Sequence, residues 1–327
     1  MKEKTREKKE EDKYDFIIIG AGVSGLAAAM YGARLGMKTL CLGASHGSEM
    51  PIGGVITTTN IMENYPGFIK ISGFELAEKI KEHALSYELV KIKEEKALDV
   101  IKKDKNFIVK TKEGEYLGKV ILFATGTMWR KLDVKGGKDF ENRGISYCAI
   151  CDGPLYRNKI VAIVGGSDSA IKEALILAEH AKKVYVIYRG ENVRAEPINL
   201  EQVEKSEKIE IINKANVVEV KGKDFVESVI LDREFNGSKE LKLNGVFVAI
   251  GHVVLSGLAK NLGVNVSEKG EIIINHKTGE TNIAGVYAAG DVTDKQFKQA
   301  ITGVADGCTA AYSAFEFSKK KGIYLAV

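Results

Sequence analysis

Short apolar runs alternate along the chain with glycine-rich turns and stretches of mixed polarity. Tyr14 to Ile19 is such a run. Gly20-Ala21-Gly22-Val23-Ser24-Gly25 follows it, Leu26 to Leu35 has the make-up of a helix, and Lys38 to Leu42 is a second apolar run. A short apolar run bounded by turn residues predicts a buried strand, and this order predicts a βαβ unit. The pattern returns with Ile160 to Val164, the turn Gly165-Gly166-Ser167-Asp168-Ser169-Ala170, a helix over Ile171 to Glu179, and a strand over Val184 to Tyr188. Between the two units, Phe107 to Lys110 and Tyr116 to Phe123 read as strands, the second ending in Ala124-Thr125-Gly126. Short strands are expected at Ile209–Ile212, Asn216–Val220, Val226–Asp232 and Gly245–Ile250. Near the C-terminus Gly285 to Asp291 is a strand running into a turn, and Lys298-Gln299-Ala300 opens a small-residue helix through Ala314. Two βαβ units about 140 residues apart predict an α/β fold with two Rossmann-like nucleotide-binding domains on parallel sheets.

The first glycine turn has the spacing Gly-x-Gly-x-x-Gly between a strand and a helix. There the first glycine makes the turn, the second admits a pyrophosphate to the backbone, and the third lets helix and strand pack closely. The helix start then offers free N–H groups to the phosphates. The acidic residue that usually ends the second strand is missing, and Gly43-Ala44-Ser45 stands in its place. In the second turn Ser167 replaces the middle glycine, adding a Cβ where the backbone should come closest to a ligand. Asp291, at the end of the late strand, is placed to accept hydrogen bonds from a ribityl or ribose hydroxyl. The helix start at residues 298–300 would stabilise negative charge at the N1–O2 edge of a reduced flavin.

The chemistry centres on Ser146-Tyr147-Cys148-Ala149-Ile150-Cys151-Asp152-Gly153-Pro154. Two cysteines at Cys-x-x-Cys spacing can open and close a disulfide, and such a loop lowers the pKa of one thiol. The carboxylate beside them can move the proton each thiol gains or loses. Half of a zinc site is the competing reading, but no second Cys-x-x-Cys exists to complete four ligands, and His180 lies far outside finger spacing. No metal site is expected. Cys41 and Cys308 read as structural, so the four cysteines fit a reducing compartment with one working pair rather than a disulfide scaffold.

Bulk properties narrow the class. The 327 residues suit two domains, and 45% apolar with 28% charged residues is ordinary for a globular protein. A net charge of +4 gives no reason to expect nucleic acid or an anionic membrane as partner. The first 13 residues carry six basic and five acidic side chains and no apolar core, so a charged, frayed leader over residues 1–13 is expected rather than a signal peptide. Cytoplasmic placement follows as an expectation.

Taken together these motifs resemble those of the low-molecular-weight thioredoxin reductases, from about Tyr14 to the end of the chain. The matching residues are Gly20-x-Gly22-x-x-Gly25, Gly53-Gly54-Val55-Ile56-Thr57-Thr58-Thr59, Glu63-Asn64-Tyr65-Pro66-Gly67, Ala124-Thr125-Gly126, Cys148-x-x-Cys151-Asp152, and Gly290-Asp291 with Lys298-Gln299-Ala300. The resemblance implies FAD held by residues 14–123 and 255–327, with a nicotinamide-type domain of about residues 127–252 inserted between them and carrying the cysteine pair. For FAD it implies Gly20, Gly22, Val23, Ser24, Gly25, Gly43, Gly53, Gly54, Thr57, Asn64, Ala124, Thr125, Gly126, Gly290, Asp291, Lys298, Gln299 and Ala300. It further implies a homodimer whose inserted domain swings between two orientations. Cys151 would meet the flavin, Cys148 would attack the disulfide of thioredoxin or a glutaredoxin-like protein, and Asp152 would be the general acid.

The departures gather in the second nucleotide domain. Members of this family that use NADPH carry His-Arg-Arg-x-x-x-Arg, where this chain has Tyr188-Arg189-Gly190-Glu191-Asn192-Val193-Arg194. One phosphate-binding arginine is gone, at a cost of about 1.5–3 kcal/mol for a charge-assisted contact. Gly165, Gly166, Ser167, Asp168, Ser169, Arg189 and Arg194 remain as the expected NADPH residues. NADPH is the first expectation for the donor, with NADH, ferredoxin or a reduced deazaflavin as alternatives. A FAD dithiol oxidase and a flavin-bound redox sensor without enzymatic activity are the competing functions. If erosion alone limits the donor site, Ser167→Gly with Gly190→Arg should restore NADPH use.

Overall fold

The computed structural model describes residues 13–43, 51–59, 62 and 64–322, with only the main chain of Thr58, Ile150 and Cys151. The leader before Lys13, and Ala44, Ser45 and Glu63, lie outside the described residues. The chain forms two compact units, Met1–Met128 with Val254–Val327, and Trp129–Val253.

The first unit opens with β1 (Lys13–Ile19), α1 (Val23–Arg34) and β2 (Thr39–Leu42). α2 (Gly73–Leu85), β3 (Val90–Lys93), β4 (Asp99–Lys103), β5 (Asn106–Lys110) and β6 (Glu115–Phe123) follow. The sheet runs β3-β2-β1-β6-β5-β4; β1, β2, β3 and β6 are parallel, and β5 and β4 continue it antiparallel. Phe16 and Ile18 of β1 enter one apolar cluster, and Ile17 and Ile19 enter another. A strand apolar on both sides belongs between two covering layers, which is why the run shows no polar alternation. α1 starts at Val23, three residues before the Leu26 expected from the sequence, because the glycine turn itself enters the helix. A Cβ on Gly25 would stand 1.8 Å from the carbonyl oxygen of Gly20, so only glycine lets the helix begin this close to the strand.

The second unit repeats the plan. It contains β7 (Ile145–Ser146), α3 (Ala149–Asp152), β8 (Ile160–Val164), α4 (Asp168–His180), β9 (Lys183–Tyr188), α5 (Pro197–Glu204) and β10 (Ile209–Asn213). β11 (Val217–Gly222), β12 (Val226–Phe235), β13 (Ser238–Lys242) and β14 (Gly245–Val248) complete it. β10-β9-β8-β14-β7 is a parallel sheet, and β11-β12-β13 is a separate antiparallel one. Val161 and Ile163 face one cluster while Ala162 and Val164 face the other, so this sheet too is covered on both sides.

The chain then re-enters the first unit as α6 (Gly257–Asn261), β15 (Val286–Ala288) and α7 (Ala300–Lys320). β15 pairs in parallel with Ile121–Phe123 of β6, whose earlier residues, Glu115 to Gly118, pair with β5. α7 continues past Ala314 to Lys320, because Phe315 and Phe317 prolong the apolar face that packs on the cluster of Phe16 and Leu26. The fold is thus α/β with two Rossmann-like units, the second inserted into the first.

One buried ion pair joins β1 and β6, the two neighbouring central strands of the first sheet. Asp15 on β1 is 1% exposed, takes a 2.7 Å contact from Lys119 Nζ on β6, and accepts the Lys38 N–H at 3.0 Å. Removing one partner strands the other charge, so Lys119→Ala should destabilise this unit by about 3–5 kcal/mol in urea unfolding. An unchanged midpoint would show that water reaches Asp15 and that the pair is dispensable.

Candidate functional site

In the first unit, the C-terminal ends of β1, β6 and β15 meet the start of α1. Gly20 has φ +112° and lies so close to Ala124 that a Cβ would be 2.3 Å from its carbonyl oxygen. Gly22 differs: the nearest atom to its hypothetical Cβ is the Gly54 Cα at 4.0 Å, so nothing in the protein requires a glycine there. Gly53, at φ +105°, donates its N–H to Ala21 O at 2.8 Å and forms a parallel bridge with Gly22. Gly22 caps α1 without a side-chain bond, and no acid lies in the first turn. The leading N–H groups of a twelve-residue helix therefore face a glycine-lined cleft. This is the shape a phosphate requires.

Of the residues expected to hold FAD, Gly20, Gly22, Val23, Ser24, Gly53, Gly54, Ala124, Thr125, Gly126, Asp291, Gln299 and Ala300 line this one cleft. Others shape it from behind. Gly25 packs on Gly20, Thr57 Oγ1 donates to Gly54 O at 2.8 Å, and Gly290 (φ +77°) leaves room for Ser24 Oγ. Asn64 Nδ2 donates to Gln299 Oε1 at 2.9 Å, where Gln299 is the reciprocal cap of α7 with Thr302. Asn64 and Lys298 line an adjoining pocket instead, and Lys298 forms an ion pair with Glu271. Gly43 lies off the cleft and donates to Lys93 O at 2.9 Å. Leu255 and Gly303 also line the cleft. Gly303 could have been suspected from its place in the small-residue helix, since a Cβ there would stand 2.6 Å from Ser24 Oγ. Leu255 carries no local signal.

The second unit holds the cysteine motif. Cys148 is disulfide-bonded, whereas Cys41 and Cys308 are free thiols. Burial pushes the Cys41 thiol up to about 12, which makes it inert. Among the described residues no cluster could hold a metal ion. Cys148 ends the approach from β7, and α3 begins at Ala149. The Ser146 hydroxyl donates to Asp152 Oδ2 at 2.6 Å and accepts the Cys148 N–H at 3.2 Å, and the Asp152 N–H closes the turn on Cys148 O at 3.1 Å. Asp152 is thus tied to the Cys148 main chain, directly and through a serine that sequence reasoning gave no role. Glu173 of α4 was missed as well; its carboxylate accepts the N–H of Ala149, the residue after Cys148.

A second cleft of this unit is lined by Gly165, Gly166, Ser167, Tyr188, Arg189 and Arg194, with Arg130 from the start of the unit. The three arginines form no ion pair among the described residues. Asp168 and Ser169 do not line it. Burial works against the Asp168 charge, but bonds from Lys172, the Glu196 N–H and Asn199 hold its carboxyl below the usual range. Its task is to fix the approach to α5. The Tyr188 ring lies against two glycines: a Cβ on Gly166 would stand 2.2 Å from it, and one on Gly190 2.6 Å. Gly190 is therefore more than a lost arginine, because a side chain there must unseat the ring. The Arg194 N–H donates to Gly166 O at 2.6 Å, tying the loop after β9 to the glycine turn.

Two glycine-turn nucleotide folds, one carrying a Cys-x-x-Cys disulfide motif, define a disulfide oxidoreductase of the flavoprotein class. The family model for pyridine nucleotide-disulphide oxidoreductases matches residues 14–307. The chain belongs to that family and is an oxidoreductase acting on sulfur. The thioredoxin reductase of Bacillus subtilis is 38% identical over 93% of this chain and 94% of its own. That of Treponema pallidum is 36% identical over 94% of this chain and 98% of its own. The crystal structure of Lactococcus lactis thioredoxin reductase superposes with a TM-score of 0.84 at 35% identity, covering 94% of this chain and 99% of that one. Among the described residues no helix is long and apolar enough to cross a membrane.

Proposed function

We propose that the protein is a thioredoxin-disulfide reductase. In this reading FAD is held in the first unit, and Cys148 and Cys151 form the disulfide that passes electrons to thioredoxin or a glutaredoxin-like protein. The observation that carries it is the disulfide-bonded Cys148 with Asp152 fixed beside it by Ser146. The open cradle at Gly22 fits a pyrophosphate, and Asp291 and the start of α7 line the same cleft. FAD, when bound there, supplies the two-electron chemistry that opens the disulfide.

The chain's own residues then do the following. Asp152 takes the proton of the Cys148 thiol as its sulfur attacks the partner disulfide; one mixed S–S bond forms, the partner's S–S bond breaks, and the released sulfur takes that proton from Asp152. Cys151 attacks Cys148, the internal S–S bond forms again, and the second partner sulfur leaves as a thiol. Two electrons pass to the partner, and the pair is oxidised. A homodimer and a cytoplasmic site complete the proposal, on the likeness to the thioredoxin reductases.

NADPH is the proposed donor, supported by Arg130, Arg189 and Arg194 around one cleft and by the absence of an acid at the end of β9. Of the motif's three arginines only Arg189 and Arg194 are present, and Gly190 stands in place of the other, so activity with NADH, or a donor of another kind, is the alternative reading. Anaerobic titration of the flavin-loaded protein with NADPH and then NADH, following the flavin band, decides it. Bleaching by micromolar NADPH supports the proposal, and bleaching by dithionite alone overturns the nicotinamide donor.

The Tyr188 seat adds a prediction. Gly190→Arg alone should weaken nucleotide binding, whereas Tyr188→His with Gly190→Arg should raise the preference for NADPH over NADH by about tenfold or more. An equal gain from the single substitution would show that the ring does not hold the position.

A further inference from the structure

Glu173 lies on α4, which packs against α3, the helix that begins one residue after Cys148. One of its oxygens accepts the Ala149 N–H, while Oε2 is buried with no hydrogen-bond partner. Leaving that oxygen unpaired costs about 1–3 kcal/mol or more. Among the described residues no ion pair reaches Glu173, and several charged groups of the neighbouring elements have other partners. Asp152 is held by Ser146, Lys172 by Asp168 and Glu196, Lys183 by Glu210, and Lys205 by Glu201. Among the described residues neither Tyr156 of the turn after α3 nor His180 at the end of α4 makes an ion pair with it. Burial, opposed only by the Ala149 N–H, pushes the carboxyl up to about 7. Glu173 thus changes charge in the working pH range while in contact with the peptide that follows Cys148.

We propose that Glu173 is a positioning residue for the redox pair: its carboxylate, held by the N–H after Cys148, opposes negative charge on the Cys148 sulfur until it takes up a proton. When the disulfide opens, the S–S bond breaks and two protons from water complete the dithiol; FAD, when bound and reduced, would supply the two electrons. Glu173 adds a third ionisation linked to those two. With Glu173 neutral, a Cys148 thiolate meets no opposing charge. With Glu173 ionised, the thiol holds its proton more tightly. The inference deepens the proposed function of the same cysteine pair, but its test needs neither thioredoxin nor a nucleotide.

The test is the pH dependence of Cys148 alkylation by iodoacetamide in dithiothreitol-reduced, flavin-loaded protein, with Cys148 scored by peptide mass spectrometry. Wild type should show two inflections, one near pH 7 from Glu173 and one from the thiol. Glu173→Gln keeps an acceptor for Ala149 and removes the charge. Its profile should lose the inflection near pH 7, match wild type below about pH 6, and run about three- to tenfold faster near pH 8. The variant should fold at least as stably as wild type at pH 8. A carboxyl raised on folding binds its proton more tightly in the folded state, so it costs stability as pH rises from its unfolded value through about 7. Superposable profiles overturn the proposal. So does a single inflection in wild type, whatever the variant does. Loss of thioredoxin reduction with the predicted alkylation profile would count against the proposed function and leave Glu173 in its role.

Discussion

Cys148→Ser is expected to lower thioredoxin-disulfide reduction by on the order of a thousandfold or more while leaving FAD bound. A serine hydroxyl has neither the thiolate fraction nor the nucleophilicity to attack a disulfide, and the internal S–S bond cannot form again. Cys148 belongs to the second unit and the FAD cleft to the first, so the yellow colour should survive the change. Cys308→Ser, whose thiol burial raises above its ordinary value, serves as the control and should keep full activity. Retained turnover in Cys148→Ser would mean that the disulfide reduced in the assay never meets this cysteine.

The second large effect separates two glycines of one turn. Gly22→Ala should cost the apoprotein no more than about 1 kcal/mol, because the new Cβ finds open space and only a helix cap changes. The same Cβ stands where a pyrophosphate must approach, so FAD affinity should fall by about a hundredfold, or ~2.7 kcal/mol. Gly25→Ala places its Cβ 1.8 Å from Gly20 O and should destabilise the apoprotein itself by about 1–3 kcal/mol or more. Unfolding of both apoproteins and flavin retention on gel filtration distinguish the cases. Normal flavin content in Gly22→Ala would show that the cleft holds its ligand elsewhere.

Both glycine turns were legible from the sequence because strand, turn and helix must follow one another there at fixed spacing. The apolar strands were equally plain, since a sheet covered on both faces cannot disguise its composition. α2 was less visible, although Ser72 accepts the Glu75 N–H at 3.1 Å, the cap such a sequence announces. β3 and β4 are short and partly exposed, and their apolar content is too thin to separate them from loop.

At the site, the cysteine pair and Asp152 could be read directly, but the groups that hold them could not. Ser146 matters through a bond to a residue six positions on, and Glu173 through a helix that begins 16 residues after Asp152. Gly190 shows the opposite limit. Its sequence context suggests a missing charge, whereas the structure shows that it makes room for Tyr188. Only packing distinguishes an absent side chain from an excluded one.

The most direct test of the central assignment reduces the flavin-loaded protein with dithionite, removes the excess anaerobically, and adds oxidised thioredoxin without any nucleotide. Two new thiols in thioredoxin for each pair of electrons lost by the enzyme, and none with Cys148→Ser, is the expected result. A reduced enzyme that leaves thioredoxin oxidised, or equal transfer by the Cys148→Ser protein, would contradict it.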